Sequence, residues 1–330
     1  MAKDRSQTND FSRSASFKEW VIRLIPVIIL IINLLNHRFL PNKQASGISN
    51  AYTIVLIAGI VIYSAVFILS LKINMLWIKY RNKAILLTAA FLLLTVWDLA
   101  TLKSALLRLP FFPGPDKVLH VFASDWQLLL TCVAHSFRLL LSGYVLGALM
   151  GLVTGVCMGW YQRANFWISP LLKIIGPIPA TAWLPIAMVS FPTSFSASVF
   201  LIALAVWFPV TVMTSSGIAN VGKAYFEVAK TLGGDQRYMI FKVAIPAAAP
   251  MIFIGLFMGM GASFLTLVAA EMLGVKAGLG WYINWAQGWA EYHKVYASLI
   301  VIAMIFSSMI TLLFKIKDRL LSWQKGLIRW

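Results

Sequence analysis

Long apolar runs, separated by short charged segments, dominate the sequence. A helix that crosses the hydrocarbon core of a bilayer, roughly 30 Å thick, needs about 20 mostly apolar residues. Runs that approach this length lie near residues 20–36, 52–71, 84–101, 133–160, 171–191, 195–215, 250–273 and 295–314. The pattern predicts an all-α, polytopic transmembrane helical bundle of about eight spans.

The first of these runs is the weakest. Its uncharged part, residues 24–36, is shorter than a full span, so it crosses the membrane only if Arg23 and Arg38 extend to the two interfaces. A signal peptide is the alternative, because a basic start precedes the run and small residues follow it at 45–47. We favour the span.

Composition narrows the function classes. With 60% hydrophobic and 12% charged residues and a mean hydropathy of +0.81, the chain lies outside the range of soluble domains. The net charge of +17 does not indicate nucleic-acid binding, because Lys and Arg fall between the apolar runs and form no basic face. The four His and two Cys show no metal-ligand or disulfide spacing, and no catalytic motif occurs. We predict a protein that is not an enzyme and binds no metal or nucleic acid.

The positions of Lys and Arg predict the orientation. Cytoplasmic loops of membrane proteins retain positive charge, and placing the amino terminus inside puts most of the 28 Lys and Arg in cytoplasmic segments. Both termini are then cytoplasmic. Attraction to anionic lipid head groups accounts for the excess positive charge without another partner.

One predicted cytoplasmic loop, residues 217–249, has an ordered pattern. Good helix formers fill 225–232, and Gly233 can take the left-handed conformation that ends a helix. Asp235 is a suitable N-cap for a second helix over 236–243. Periodicity alone allows two interpretations, a docking element or a solvated connector.

The same loop carries a motif. The letters E-V-A-K-T-L-G at 227–233, followed after nine residues by V-A-I-P at 243–246, resemble the E-A-A-x-x-x-G-x9-I-x-L-P motif of bacterial ABC importer permeases. Apolar substitutions occur at Val228, Val243 and Ile245, whereas the matching residues are Glu227, Ala229, Gly233 and Pro246. The resemblance implies that the loop is a coupling helix seated in a groove of a cytoplasmic ATPase. Ala229 and Gly233 would permit close approach, and Glu227 would make polar contacts.

The resemblance extends over about residues 84–325 and favours the branch that imports nitrate, sulfonates and taurine. The landmarks are the proline segment at 109–118, G-P-I-P at 176–179 with W-L-P at 183–185, and A-E at 270–271 followed by G-L-G at 278–280. It implies a six-span core at 84–314 that contains the coupling loop 217–249. In front lies an additional hairpin at 20–75, and cytoplasmic tails occupy 1–19 and 315–330.

The family implies a function for the whole chain. It would be a non-catalytic permease in the bacterial inner membrane, paired with a second copy, a cytoplasmic ATPase dimer and an external substrate-binding protein. No G-x-x-x-x-G-K-[ST] sequence occurs, so ATP would bind to the ATPase and this chain would hold no cofactor. An alkanesulfonate is the first expected solute, with taurine, nitrate or a pyrimidine precursor behind it.

Two other classes stay open. A secondary transporter driven by an ion gradient would be expected to show internal repeats and acidic residues at mid-membrane. A membrane scaffold would only recruit a cytosolic protein through the 217–249 loop.

Five residues are predicted to lie on the translocation path, because ionisable groups and helix breaks within lipid usually face a cavity. His135 and Arg138 share a helix face and could attract an anion, although Arg138 could instead satisfy carbonyls or a carboxylate. Pro177 and Pro179 should break a span. Glu271 is expected to pair with a basic residue or to orient the loop at 278–280.

Other intramembrane patterns are predicted to be structural. Asp98 lies near a span end and is expected at the interface. Aromatic residues at four-residue spacing indicate interfacial anchoring in an external loop, in preference to a ligand stack, at Trp281, Trp285 and Trp289. Glycines at the same spacing predict close helix contact, within the bundle or between two permease copies, at Gly143, Gly147, Gly151 and Gly155.

Overall fold

The computed structural model describes residues 17–44, 50–72 and 74–322, and helices are the regular elements in these ranges. The helices are α1 (Phe17–Phe39), α2 (Ala51–Lys72), α3 (Asn74–Asp98), α4 (Pro115–Ser124), α5 (Trp126–Trp160), α6 (Gln162–Ile175), α7 (Leu184–Ser190), α8 (Ser194–Ala219), α9 (Lys223–Thr231), α10 (Gln236–Tyr238), α11 (Ile245–Gly274), α12 (Leu279–Gly288) and α13 (Tyr292–Leu320). Two π-helical turns, Leu99–Lys103 and Met239–Ala244, and a 3₁₀ turn, Ala180–Trp183, join some of them.

The all-α membrane class is confirmed, whereas the count of eight spans is not. Within the described ranges, six helices are long and apolar enough to cross a bilayer. A seventh span arises only if the bent pair α6 and α7 counts as one, and the apolar part of α1, Leu24–Phe39, is shorter than a full span.

The chain forms two compact units, and the first comprises the residues up to Asp125 together with Ala290–Ala297. In it α1 packs on α2 and α3. Asp98, expected near a span end, is the last residue of α3; its carboxylate is fully buried within the protein, and Oδ1 lies 3.2 Å from Nδ1 of His37. Lys103 Nζ is also buried and donates at 2.7 Å to the carbonyl oxygens of His37 and Leu40. These long-range partners satisfy charges that sequence spacing assigns to a span end.

The second unit comprises Trp126–Trp289 and the chain from Ser298 onward. Its centre is α8, which packs against both α5 and α11. The glycine stripe of α5 faces α8, since Cβ atoms added to the glycines would collide with Ile202, Ala203, Val210 and Thr214. The close contact predicted from the stripe therefore lies within this chain. Branched side chains of α8 fill the space that the missing side chains leave.

Some polar groups of this α5–α8 interface bond to one another, whereas the buried Thr214 Oγ1 has no hydrogen-bond partner among the described residues. Thr154 Oγ1 donates to the Met150 carbonyl at 2.7 Å and lies 2.8 Å from Thr211 Oγ1. Trp207 Nε1 donates to Thr154 Oγ1 at 3.0 Å. The interface thus combines close backbone approach with paired hydroxyl groups.

Candidate functional site

A sharp bend separates α6 from the short helix α7. The α6 segment and the segment Ala180–Ser190 differ in direction by 84°. Pro177 and Pro179 lie in the break, as predicted, because proline has no N–H to continue the helical ladder. The break positions both prolines beside α8.

Two adjoining cavities follow this bend. The first, about 650 Å³, lies between α6 and α8 and is lined by Lys173, Pro177 and Ser215 among others. The second, about 390 Å³, is lined by Pro179, by Thr181 and by parts of α8 and α11. Because Gly176 and Phe208 line both cavities, we treat the pair as one α6–α8 groove.

Gly176 lies against the ring of Phe208, where the two cavities adjoin. A Cβ at position 176 would collide with the Phe208 ring, so only glycine lets the aromatic ring pack against this backbone. The lining is mainly apolar, with Ser, Thr and one Lys among the lining residues. The groove can therefore hold a small solute, while its chemistry is concentrated in a few polar groups.

Three of the five predicted path residues do not line this groove. His135 and Arg138 are exposed on α5, and the Arg138 guanidinium lies 5.3 Å from the centroid of the Phe195 ring. Among the described residues, no carboxylate or carbonyl oxygen bonds to that guanidinium, so a cation–π contact takes the place of the expected ion pair or carbonyl contacts. The structure thus separates this pair from Pro177 and Pro179.

Glu271 is the third residue outside the groove. Its buried carboxylate accepts from Ser136 Oγ at 2.6 Å and from Gly280 N at 2.8 Å, and Leu279 N donates to Ser136 Oγ at 2.9 Å. Gly278, at φ +129°, passes so close that a Cβ would meet the carboxylate. Glu271 was expected either to pair with a basic residue or to orient the loop at 278–280. The structure shows the second arrangement, and no basic side chain pairs with Glu271 among the described residues.

The loop that Glu271 orients leads into a helix. The tryptophans predicted to lie in an external loop belong instead to α12 and its C-cap. Trp281 and Trp285 stack with ring centroids 6.3 Å apart, whereas Trp289 is exposed at the helix end. The sequence prediction missed α12 because the segment is short and follows a glycine-rich turn.

The predicted caps of the 217–249 loop are confirmed. Gly233 has φ +82°, and it ends α9 with two hydrogen bonds, Gly234 N to the Ala229 carbonyl at 2.9 Å and Gly233 N to the Lys230 carbonyl at 3.0 Å. Asp235 accepts from Tyr238 N at 2.7 Å. The predicted helix end at residue 243 and the span start at 250 are wrong, because the chain is helical without interruption over Gln236–Gly274.

The two faces of α9 differ in character. Phe226 and Ala229 point inward: the Phe226 ring lies 5.4 Å from Trp160, and Ala229 is 7% exposed. Tyr225, Val228 and Leu232 form an outward stripe with exposures of 66%, 59% and 82%. Sequence reasoning missed this stripe, although its i, i+3, i+7 spacing is the available signal.

The four motif residues occupy different environments. Ala229 is buried within its own chain, so its small size serves the packing of the loop, whereas Gly233 has open space around its Cβ position. Glu227 is exposed on α9, and Pro246 lies in the first turn of α11. The motif therefore contributes both a packing residue, Ala229, and an exposed residue, Glu227, to the loop.

Comparison with known proteins assigns the chain to a family. The sequence profile described as "binding-protein-dependent transport system inner membrane component" matches residues 143–323, which include α8, the 217–249 loop and α11. The chain belongs to this family. The permease is accordingly a multi-pass inner-membrane protein of the ABC transporter class, whose permease subunits are non-catalytic membrane components.

Relatives that are named for their solutes include permeases for bicarbonate, sulfonates and nitrate. The permease is 33% identical to the bicarbonate transport permease CmpB of Synechococcus elongatus, over 68% of this chain and 74% of the relative. It is 32% identical to the putative aliphatic sulfonates transport permease SsuC of Bacillus subtilis, over 56% and 67%. It is 30% identical to the nitrate import permease NrtB of Leptolyngbya laminosa, over 62% and 68%.

A solved structure shares the fold. The MetNI methionine ABC transporter in an inward-facing conformation matches with a TM-score of 0.50 and 15% identity, over 59% of this chain and 96% of that chain. At this identity the match shows a common arrangement of helices and carries no information on the solute.

Proposed function

We propose that the permease forms the translocation path for a small anion and couples its uptake to ATP hydrolysis by a separate ATPase. The names of the three relatives support the solute class, because bicarbonate, nitrate and aliphatic sulfonates each carry one negative charge spread over oxygen atoms. An alkanesulfonate is thus one of several candidates of the same chemistry.

The outward stripe of α9 is the observation that supports ATPase coupling. Tyr225, Val228 and Leu232 expose apolar surface on this loop, and such exposed patches mark protein-interaction sites. Glu227 lies on the same helix and offers a polar contact beside the stripe. A short helix that lies between α8 and α11 in the chain, as α9 does, can transmit movement of a docked protein to both.

The α6–α8 groove is the proposed path. It is open along one side in the single chain, and we propose that a second copy of the permease completes it. Closure of the ATPase dimer on binding ATP would move the coupling loops and open the path outward, where an external binding protein delivers the solute. The route would alternate between the two sides of the membrane.

Co-purification tests the coupling proposal. The permease, co-expressed and solubilised with a candidate ATPase subunit, is compared with Leu232→Asp and with the control Thr231→Asp. We expect the Leu232→Asp variant to lose most of the bound ATPase, because a charge replaces an apolar docking contact. Thr231→Asp places the same charge on the same helix outside the stripe and should retain the ATPase.

The outcomes separate the alternatives. Equal ATPase binding by both variants would contradict the docking role of the stripe. A wild-type permease that binds no ATPase would favour the secondary transporter.

A further inference from the structure

A polar cluster lies inside the largely apolar first cavity of the groove. Ser169 and Lys173 are four residues apart on α6 and therefore share one helix face. Ser215 lies on the facing side of α8, and all three residues line the cavity of about 650 Å³. We call Ser169, Lys173 and Ser215 the groove triplet.

The two hydroxyl groups of the groove triplet are free. In a membrane helix a hydroxyl without another partner usually donates to the carbonyl four residues earlier. In the same unit this bond forms at Ser142, Ser198, Thr266 and Ser308, with lengths of 2.7–2.9 Å. Ser169 and Ser215 make no hydrogen bond with any described residue. Both hydroxyls are thus available to a group within the cavity.

The ammonium group of the triplet is free as well. Lys173 forms no ion pair or hydrogen bond with any described residue, and no Asp or Glu lines either cavity of the groove. Lys173 is exposed on α6 and lines the open groove, so its ammonium group is accessible to an anion that enters the cavity. The groove therefore carries a positive charge with no countercharge of its own.

We propose that the groove triplet binds the transported anion on its way through the permease. The Lys173 ammonium supplies the charge, and the Ser169 and Ser215 hydroxyls donate hydrogen bonds to its oxygen atoms. This inference rests on the proposed function and adds the residues that select for an anion.

The chemistry of the triplet suits passage better than retention. Lysine is a compact, strongly hydrated cation, and it binds an anion chiefly through its charge. The cavity exceeds the size of a bicarbonate or nitrate ion, so the anion can keep part of its water. A path needs binding that is favourable enough for entry and weak enough for release.

Transport by the complete complex tests the inference. Permease, ATPase and binding protein are reconstituted in liposomes, and uptake of bicarbonate, nitrate and a short alkanesulfonate is measured for wild type, Lys173→Gln and Lys173→Arg. Arg163→Gln is the matched control, because Arg163 is an exposed cation on the first turn of α6 that does not line the groove.

We expect Lys173→Gln to lower uptake of the transported anion by about tenfold or more, since a hydrogen bond to a charged group contributes that much to binding. Lys173→Arg should retain most of the uptake, and Arg163→Gln should match wild type. ATPase co-purification should be the same for all four proteins, which shows that the complex is assembled.

Three results would overturn the inference: wild-type uptake by Lys173→Gln, loss of uptake by Lys173→Arg as large as that by Lys173→Gln, or equal losses in Lys173→Gln and Arg163→Gln. The last would indicate that the two cations only set membrane orientation. A wild-type complex that binds ATPase but imports none of the three anions would instead refute the proposed solute class, and the inference with it.

Discussion

The two sides of α8 differ although they belong to one helix. Toward α5, branched side chains such as Ile202 and Val210 fit against glycines, and the hydroxyls of Thr154 and Thr211 pair with each other. Toward α6, the side chains of Phe208 and Ser215 border a groove, and the Ser215 hydroxyl has no partner among the described residues. One side is closed by packing, and the other is open.

This difference indicates that the two sides of α8 differ in rigidity. Close backbone approach gives a rigid interface, because any displacement would separate many contacts at once. A cavity beside a bent helix lacks such contacts, so its wall can move at lower cost. We infer that α5 and α8 move together as one body, while changes during transport occur on the α6 side.

The largest effect on stability is expected from adding a methyl group to a glycine of the tightly packed α5–α8 interface. In Gly147→Ala the new Cβ would meet the backbone of Ala203, which cannot rotate away as a side chain can. We expect a loss of about 1–3 kcal/mol of stability, the usual cost of overpacking. Thermal unfolding of the purified permease in detergent measures it.

Gly261→Ala is the control for that variant. It adds the same methyl group to a transmembrane helix where nothing lies within 4 Å of the new Cβ. Equal melting temperatures for the two variants would contradict the close α5–α8 contact.

A smaller effect is expected from Thr154→Val, which keeps the shape of the side chain and removes its hydroxyl. Trp207 Nε1 and the fully buried Thr211 hydroxyl would then lose their shared partner. Hydrogen bonds between membrane helices contribute roughly 1 kcal/mol, and we expect a loss of that order in thermal unfolding. Ser142→Ala serves as the comparison, since the Ser142 hydroxyl donates at 2.8 Å to the Arg138 carbonyl of its own helix.

The smallest effect on stability is expected from Ser215→Ala on the open side. Because its hydroxyl bonds to no described residue, its removal should change stability by less than about 0.5 kcal/mol. Anion uptake should nevertheless fall if the groove triplet binds the solute. A drop in melting temperature as large as that of Thr154→Val would show that the two sides of α8 do not differ in this way.

Local sequence predicted the features that depend on near neighbours. The caps at Gly233 and Asp235 follow from the conformations these residues favour, and the break at Pro177 and Pro179 follows from the missing N–H. Helix bounds were less accurate: a separate helix end at 243 was expected, yet α10, the π-helical turn and α11 are continuous. Pro246 lies inside this continuous segment, directly after the π-helical turn, and therefore marks no helix boundary.

The candidate site depended more on distant neighbours. The sequence indicated that Glu271 could orient the glycine loop, but not that Ser136 would complete the arrangement. The sequence grouped His135 and Arg138 with the prolines as path residues. A charged residue within a span is expected to face a cavity, but the sequence does not show which helices enclose that cavity. It did not single out Lys173 and Ser215, since neither is unusual until α6 and α8 lie side by side.

The sequence by itself determined the membrane class, most of the spans and the family motif of the 217–249 loop, because apolar length and local backbone preference are properties of contiguous residues. Only the tertiary structure decided which helix the α5 glycines meet, which face of α9 is exposed and which polar groups share a groove. These features depend on contacts between residues that are far apart in the chain, and only the packing of the helices brings those residues together.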